Sequence, residues 1–214
     1  MALPGLTLVF FAVPEEAKPF LRLRQEYSQA EVIVTGMGRN NSTRSFHKAV
    51  ERKRPARVLT CGFAGGLDPA LSRGAVIFST LDGSPLHALL LGAGARPGRI
   101  HCAERVAVTV AEKNLLREAT GADAVEMESG VIQDLCGGLN IPCATVRVVS
   151  DSAGEDLPID FNALMTPDHR LDFKKLAWSL MKSPGKIPGL MRLQRNTAAA
   201  ANSLAAVLTQ VLRG

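Results

Sequence analysis

No stretch of this 214-residue chain holds the roughly 18 consecutive apolar residues that a membrane span requires. Leu6–Val13, the longest apolar run near the start, has no basic residue before it and opens into Pro14-Glu15-Glu16, unlike a signal peptide. The four cysteines, Cys61, Cys102, Cys136 and Cys143, make no C-x-x-C pair and no zinc spacing. They read as reduced core residues of a cytoplasmic protein, with no metal site expected. Aromatic residues are scarce, with 8 Phe, 1 Trp and 1 Tyr, which leaves little for a base-stacking platform. The net charge of +5 is therefore weak support for nucleic-acid binding, and none is expected. Its two basic concentrations, 51–54 and 170–195, read first as solvated faces. The serine-hydrolase elbow G-x-S-x-G is missing. Gly36-Met37-Gly38 has Asn41 where a dinucleotide fingerprint needs its third glycine, so it reads as a strand-to-helix turn, with no cofactor expected.

What is present describes one α/β domain over 1–214, with a core at about 6–155 and a helical C-terminal region at about 165–213. Leu6–Val13, Val32–Val34, Val58–Thr60, Ala75–Thr80, Arg105–Val108 and Cys143–Val149 read as strands. The third is expected to end in a turn at Gly62-Phe63-Ala64-Gly65-Gly66. Helices are predicted over Glu15–Arg24, from the Gly36 turn to Arg52, and through to about Leu139 after an extended Ala122–Glu126. Another follows a capping box at Thr109-Val110-Ala111-Glu112, with Gly121 at its end. Leu91–Gly94 reads as loop. From Asp168 the chain reads as helical, broken at Pro184-Gly185 and Pro188-Gly189. Apolar strands alternating with helices predict a mixed, mostly parallel sheet covered on both faces, with ligands at the carboxyl ends of the strands.

The chemically suggestive residues fall at those ends. Glu126 and Glu128 are two apart, so an extended segment points both to one face, too close to stay both ionised and dry. Arg147 stands in an otherwise apolar strand and needs an anionic partner, because an unpaired buried guanidinium is costly. With Asp151 at the same edge, a site explains the three better than separate structural ion pairs do. Glu15 reads as a first-turn acid on a helix dipole. His47, His87, His101 and His169 are widely spread and receive no role.

Ala124-Val125-Glu126-Met127-Glu128-Ser129 resembles the V-E-M-E signature of the nucleoside phosphorylase/nucleosidase superfamily, and Val146–Asp151 resembles its R-x-x-S-D strand end. Thr35–Gly38 and Gly62–Leu67 are similar to its two glycine turns, and Ala12–Glu16 to its first loop. The order and spacing agree over about 6–155. The resemblance implies a three-layer α/β/α, nucleoside phosphorylase-like fold and cleavage of the N-glycosidic bond of a purine nucleoside. It implies Asp151 as the acid that protonates N7 of the leaving base. Glu128 would bind the ribose hydroxyls and Met127 pack on the ribose face. Glu16, with Arg147 close by, would activate water. Ala64, Gly65, Glu126 and Ser150 complete the expected substrate site, with Phe161 as the aromatic cap on the base. Members are often dimers, so a homodimer is expected.

Hydrolysis is favoured over phosphorolysis. The glycine-aspartate-proline-x-arginine phosphate clamp of bacterial phosphorylases does not occur, and Thr60–Phe63 offers no arginine, whereas Arg39 and Arg44 keep phosphate open as the nucleophile. Phe63 stands where many hydrolytic members have serine, which leaves a non-catalytic nucleoside or membrane-surface binding protein as the rival from another class. The tail, with Leu157-Pro158, Pro184, Pro188 and Leu190–Leu193, resembles the hopanoid-associated branch, which implies adenosylhopane as substrate. A basic amphipathic 170–195 around Trp178 would then touch an anionic membrane peripherally, the plainer alternative being a helix packed on the sheet.

Overall fold

The computed structural model describes residues 5–23, 29–81, 83–166 and 172–213, and the side chains of all of these but residues 173 and 174. Arg24, His169, Arg170 and Leu171 lie outside the described residues.

The first strand, β1 (Thr7–Phe11), is buried throughout and alternates its faces, sending Leu8 and Phe10 one way and Val9 and Phe11 the other. It pairs in parallel with β2 (Ala30–Val34) and β3 (Arg57–Gly66). β3 pairs in parallel with β8 (Cys143–Asp151), and β8 pairs antiparallel with β4 (Val76–Thr80), which carries the two-residue β5 (Arg96–Pro97). Off this path, β7 (Ala124–Glu126) pairs antiparallel with the end of β3 and in parallel with β6 (Ile100–Cys102). The sheet is mixed and mostly parallel, as expected.

Helices cover both faces. Ala17 and Phe20 of α1 (Pro14–Leu23), Leu86 and Leu90 of α3 (Pro85–Gly92) and Leu204 and Leu208 of α8 (Ile187–Arg213) pack on the Val9/Phe11 side. Phe46 and Ala49 of α2 (Arg39–Arg52) and Val131, Ile132 and Cys136 of α5 (Ser129–Gly138) pack on the other. The helix α4 (Val110–Thr120) has the capping box read from sequence and ends at Gly121 in the left-handed conformation. Short α6 (Phe161–Leu164) and α7 (Phe173–Lys182) link β8 to α8.

Four local expectations need correction. The glycine segment after Thr60 is no turn: β3 runs through it, pairing first with β8 and then with β7. Val106 takes no strand partner, because the Asn162 side chain accepts from its N–H and donates to its carbonyl, doing the work of a ladder. Leu91 and Gly92 end α3 rather than lie in a loop; its start is marked by Ser84, which accepts from Leu86 N–H, and by Pro85. Pro188 does not break α8, because it falls in the first turn, where no N–H is needed.

Candidate active site

A cavity of about 270 Å³ opens where β1, β3, β7 and β8 end. Its wall brings together Glu16 from α1, Phe63, Ala64 and Gly65 from β3, and Glu126, Met127 and Glu128 from β7 and the turn after it. Ser150 and Asp151 come from β8, and Phe161 from α6. The continuation of β3 explains this gathering. Gly65 pairs with Asp151 on one side and Val125 on the other, so one glycine-rich strand end holds both acidic segments against the same hollow.

Glu16 is buried and held by three backbone donors: Ala12 and Val13 N–H reach Oε2 at 3.0 and 3.1 Å, and Phe63 N–H reaches Oε1 at 2.9 Å. Close approach to β3 depends on Gly62, where an added Cβ would stand 2.6 Å from Oε1. Burial raises the Glu16 pKa, against those hydrogen bonds and the nearby Arg147 charge.

Arg147 finds the anion its strand demanded. Its Nη2 donates to Glu126 Oε2 at 2.7 Å, and its Nη1 to the Thr60 carbonyl at 2.7 Å, with the guanidinium only 2% exposed. It lies under Glu126 and does not line the cavity, so it meets Glu16 through charge alone. Glu126 also accepts from Glu128 N–H, Ser129 N–H and Ser129 Oγ. Burial opposes its ionisation, but Arg147 and the Ser129 hydroxyl outweigh that and hold its pKa at about 2.

The Glu128 side chain stands outside this arrangement, at the N-cap of α5. Desolvation, and then the charges of Glu126 and Glu16, push its pKa up to about 7 against the pull of Arg147. The two glutamates thus part: one stays ionised and the other keeps its proton to near neutrality. Glu128 binds a proton more tightly in the folded state than in the unfolded one. Its contribution to stability is full below the unfolded value near 4.5 and is lost as pH rises through 7. Chemical denaturation should show the stability of wild type relative to E128Q falling by about 2–3 kcal/mol between pH 4.5 and 8. A pH-independent difference would contradict this environment.

Asp151 is buried and takes a donor on each oxygen: Ser150 Oγ reaches Oδ1 at 2.6 Å and Lys113 Nζ reaches Oδ2 at 2.6 Å. Sequence reasoning missed Lys113. It sits on α4 with its side chain fully buried, and it also donates to the Ser152 and Glu155 carbonyls, both at 2.8 Å. No local signal marks it, since a lysine on an amphipathic helix reads as solvated. Arg105, Met165 of the segment after α6, and Leu193 of α8 also reach the cavity without having been anticipated.

A family model described as the phosphorylase superfamily matches residues 86–181, the interval that carries Glu126, Glu128, Arg147 and Asp151. That stretch of the chain is similar to the phosphorylase superfamily. The chain is 26% identical to the aminodeoxyfutalosine nucleosidase of Campylobacter jejuni over 200 residues, covering 71% of this chain and 87% of the relative. The fold is shared with two solved structures. One is the 5′-methylthioadenosine/S-adenosylhomocysteine nucleosidase of C. jejuni, with TM-score 0.69, 20% identity and coverage of 97% and 98%. The other is the futalosine hydrolase of Helicobacter pylori, with TM-score 0.71, 17% identity and 97% of both chains covered. At those identities the likeness shows the fold alone.

Proposed function

We propose that the protein is an enzyme that hydrolyses the N-glycosidic bond of a purine nucleoside. The observation that carries the reading is the convergence of three carboxyl groups, Glu16, Glu128 and Asp151, on one cavity from three separate elements. Breaking the bond leaves its electron pair on the purine and positive charge on the ribose. Asp151 gives a proton to N7. Glu128 accepts from the ribose hydroxyls, through hydrogen bonds that strengthen as the ring becomes cationic. Glu16 takes a proton from the attacking water. Met127 packs on the ribose, Phe161 caps the base, and Ala64, Gly65 and Ser150 complete the wall. Glu126 also stands on the wall, held in a fixed ion pair by Arg147 behind it. That the sequence relative from C. jejuni is named as a nucleosidase supports the same reaction class.

Phosphate as nucleophile is the second reading, and the arginines argue against it. Arg147 is committed to Glu126 and Thr60, Arg105 is paired with Glu112, and exposed Arg39 and Arg44 do not line the cavity. The reading includes a homodimer, from the resemblance, and adenosylhopane among the candidate substrates. Peripheral membrane contact has support in α7 and the start of α8, where Trp178, Met181, Ile187 and Met191 are exposed and Lys182 lies 4.9 Å over the Trp178 ring. Among the described residues, no helix is long and apolar enough to cross a membrane.

The test is base release, followed by chromatography, from adenosine, inosine, methylthioadenosine, S-adenosylhomocysteine and vesicle-borne adenosylhopane. Free purine from any of them is the expected result, and release from the vesicles alone would point to the lipid-linked substrate. No release from any would leave the binding-protein rival.

A further inference from the structure

The assignment of Asp151 leaves one buried ion unexplained. Lys113 contributes nothing to the cavity wall, yet its side chain is fully buried and all three N–H bonds of its ammonium are used. A buried lysine is costly unless paired and hydrogen-bonded, and an apolar residue on α4 would fill the same space at less cost. Its two carbonyl contacts, to Ser152 and Glu155, tie the segment after β8 to α4. A neutral side chain could do that. The 2.6 Å contact to Asp151 Oδ2 is the one of the three that meets a carboxyl group, where the charge of the ammonium has a partner.

We infer that Lys113 is a positioning residue for the leaving-group acid, serving as the countercharge to the carboxylate that remains once Asp151 has given its proton to the base. This rests on the proposed role of Asp151. In the step, the proton passes from Asp151 to N7 and the electron pair of the broken C1′–N9 bond stays with the purine. Lys113 keeps its protons throughout. Ser150 on Oδ1 and Lys113 on Oδ2 together fix the carboxyl plane, and of the two only Lys113 brings charge. The effect is specific to leaving groups that need protonation. A purine does; p-nitrophenolate, already a stable anion, does not.

K113M and K113Q separate this role from simple support of the fold. K113Q keeps an amide that can donate to the Ser152 and Glu155 carbonyls, so it tests the charge if K113M does not fold. For the purine nucleoside that wild type cleaves fastest, kcat should fall on the order of 10²-fold with KM changed less than about 3-fold. With p-nitrophenyl β-D-ribofuranoside, kcat should change less than about 3-fold. Equal losses on both substrates would reduce Lys113 to structural support, and a full rate on the nucleoside would remove the role altogether. Failure of the underlying reading looks different. Wild type that cleaves the nitrophenyl riboside but is insensitive to D151N on the purine nucleoside would discard Asp151, and Lys113 with it. Wild type inactive on every substrate would do the same.

Discussion

D151N should lose on the order of 10²- to 10³-fold in kcat on a purine nucleoside, because asparagine cannot give up a proton to N7. The cause is local. Asp151 takes side-chain donors on both oxygens, one of them the Lys113 ammonium, and Gly65 leaves it room: a Cβ there would stand 3.4 Å from Oδ2. The variant should also unfold more easily, since Lys113 is left fully buried with only neutral acceptors. The expected penalty is about 1–3 kcal/mol, or several degrees in Tm for a domain of this size. Stability and activity can then be parted. D151N/K113M, which removes both charges, should recover part of the lost stability and none of the lost rate. Unchanged turnover in D151N would take the acid role away from Asp151, and recovery of rate in the double variant would show that the single variant failed through misfolding.

R147M should be among the most destabilising single substitutions in the chain, by about 3–5 kcal/mol. Arg147 is only 2% exposed and its guanidinium spans Glu126 and Thr60, so its removal leaves a carboxylate buried without a cation and a strand carbonyl without its donor. The pH dependence identifies the cause. In wild type the Glu126 pKa is held at about 2, below its unfolded value, so its contribution is full above about pH 4.5 and is lost as pH falls through 2. Without Arg147, burial governs instead and favours the protonated form, so R147M should lose stability as pH rises through the carboxylate range. Urea denaturation of R147M between pH 4 and 8 reads the sign directly, and R147M/E126Q should restore much of the loss. A loss below about 1 kcal/mol would mean that the pair is dispensable.

The parts of this architecture legible in the sequence are those with local causes. Thr109 and Glu112 announce the start of α4 because both halves of a capping box lie within four residues. Arg147 is conspicuous because seven of the nine residues of β8 carry no charge, while Arg147 itself is fully buried in the strand. The need for an anion followed, and Glu126 meets it from 21 residues away. The conflict between Glu126 and Glu128 was also readable, although its resolution was not: β7 stops at Glu126, and the turn carries Glu128 into a different environment.

What stayed hidden depends on tertiary neighbours. Two- and three-residue strands such as β5 and β6 have no periodicity to detect. Val106 and Val108 alternate like a strand, but the Asn162 side chain, 56 residues on, occupies the backbone groups of Val106. The glycines after Thr60 carry turn composition, yet partners on both sides keep them extended. Lys113 is the clearest case. Nothing within a turn of it in sequence is unusual, and its meaning comes entirely from a carboxylate 38 residues away.

Water, activated at Glu16, is the proposed nucleophile. Base release in rigorously phosphate-free buffer, with the sugar product identified by mass spectrometry, tests it most directly. The expected result is full release with free sugar and no acceleration when phosphate is restored. Release that requires phosphate and yields the sugar 1-phosphate would contradict it.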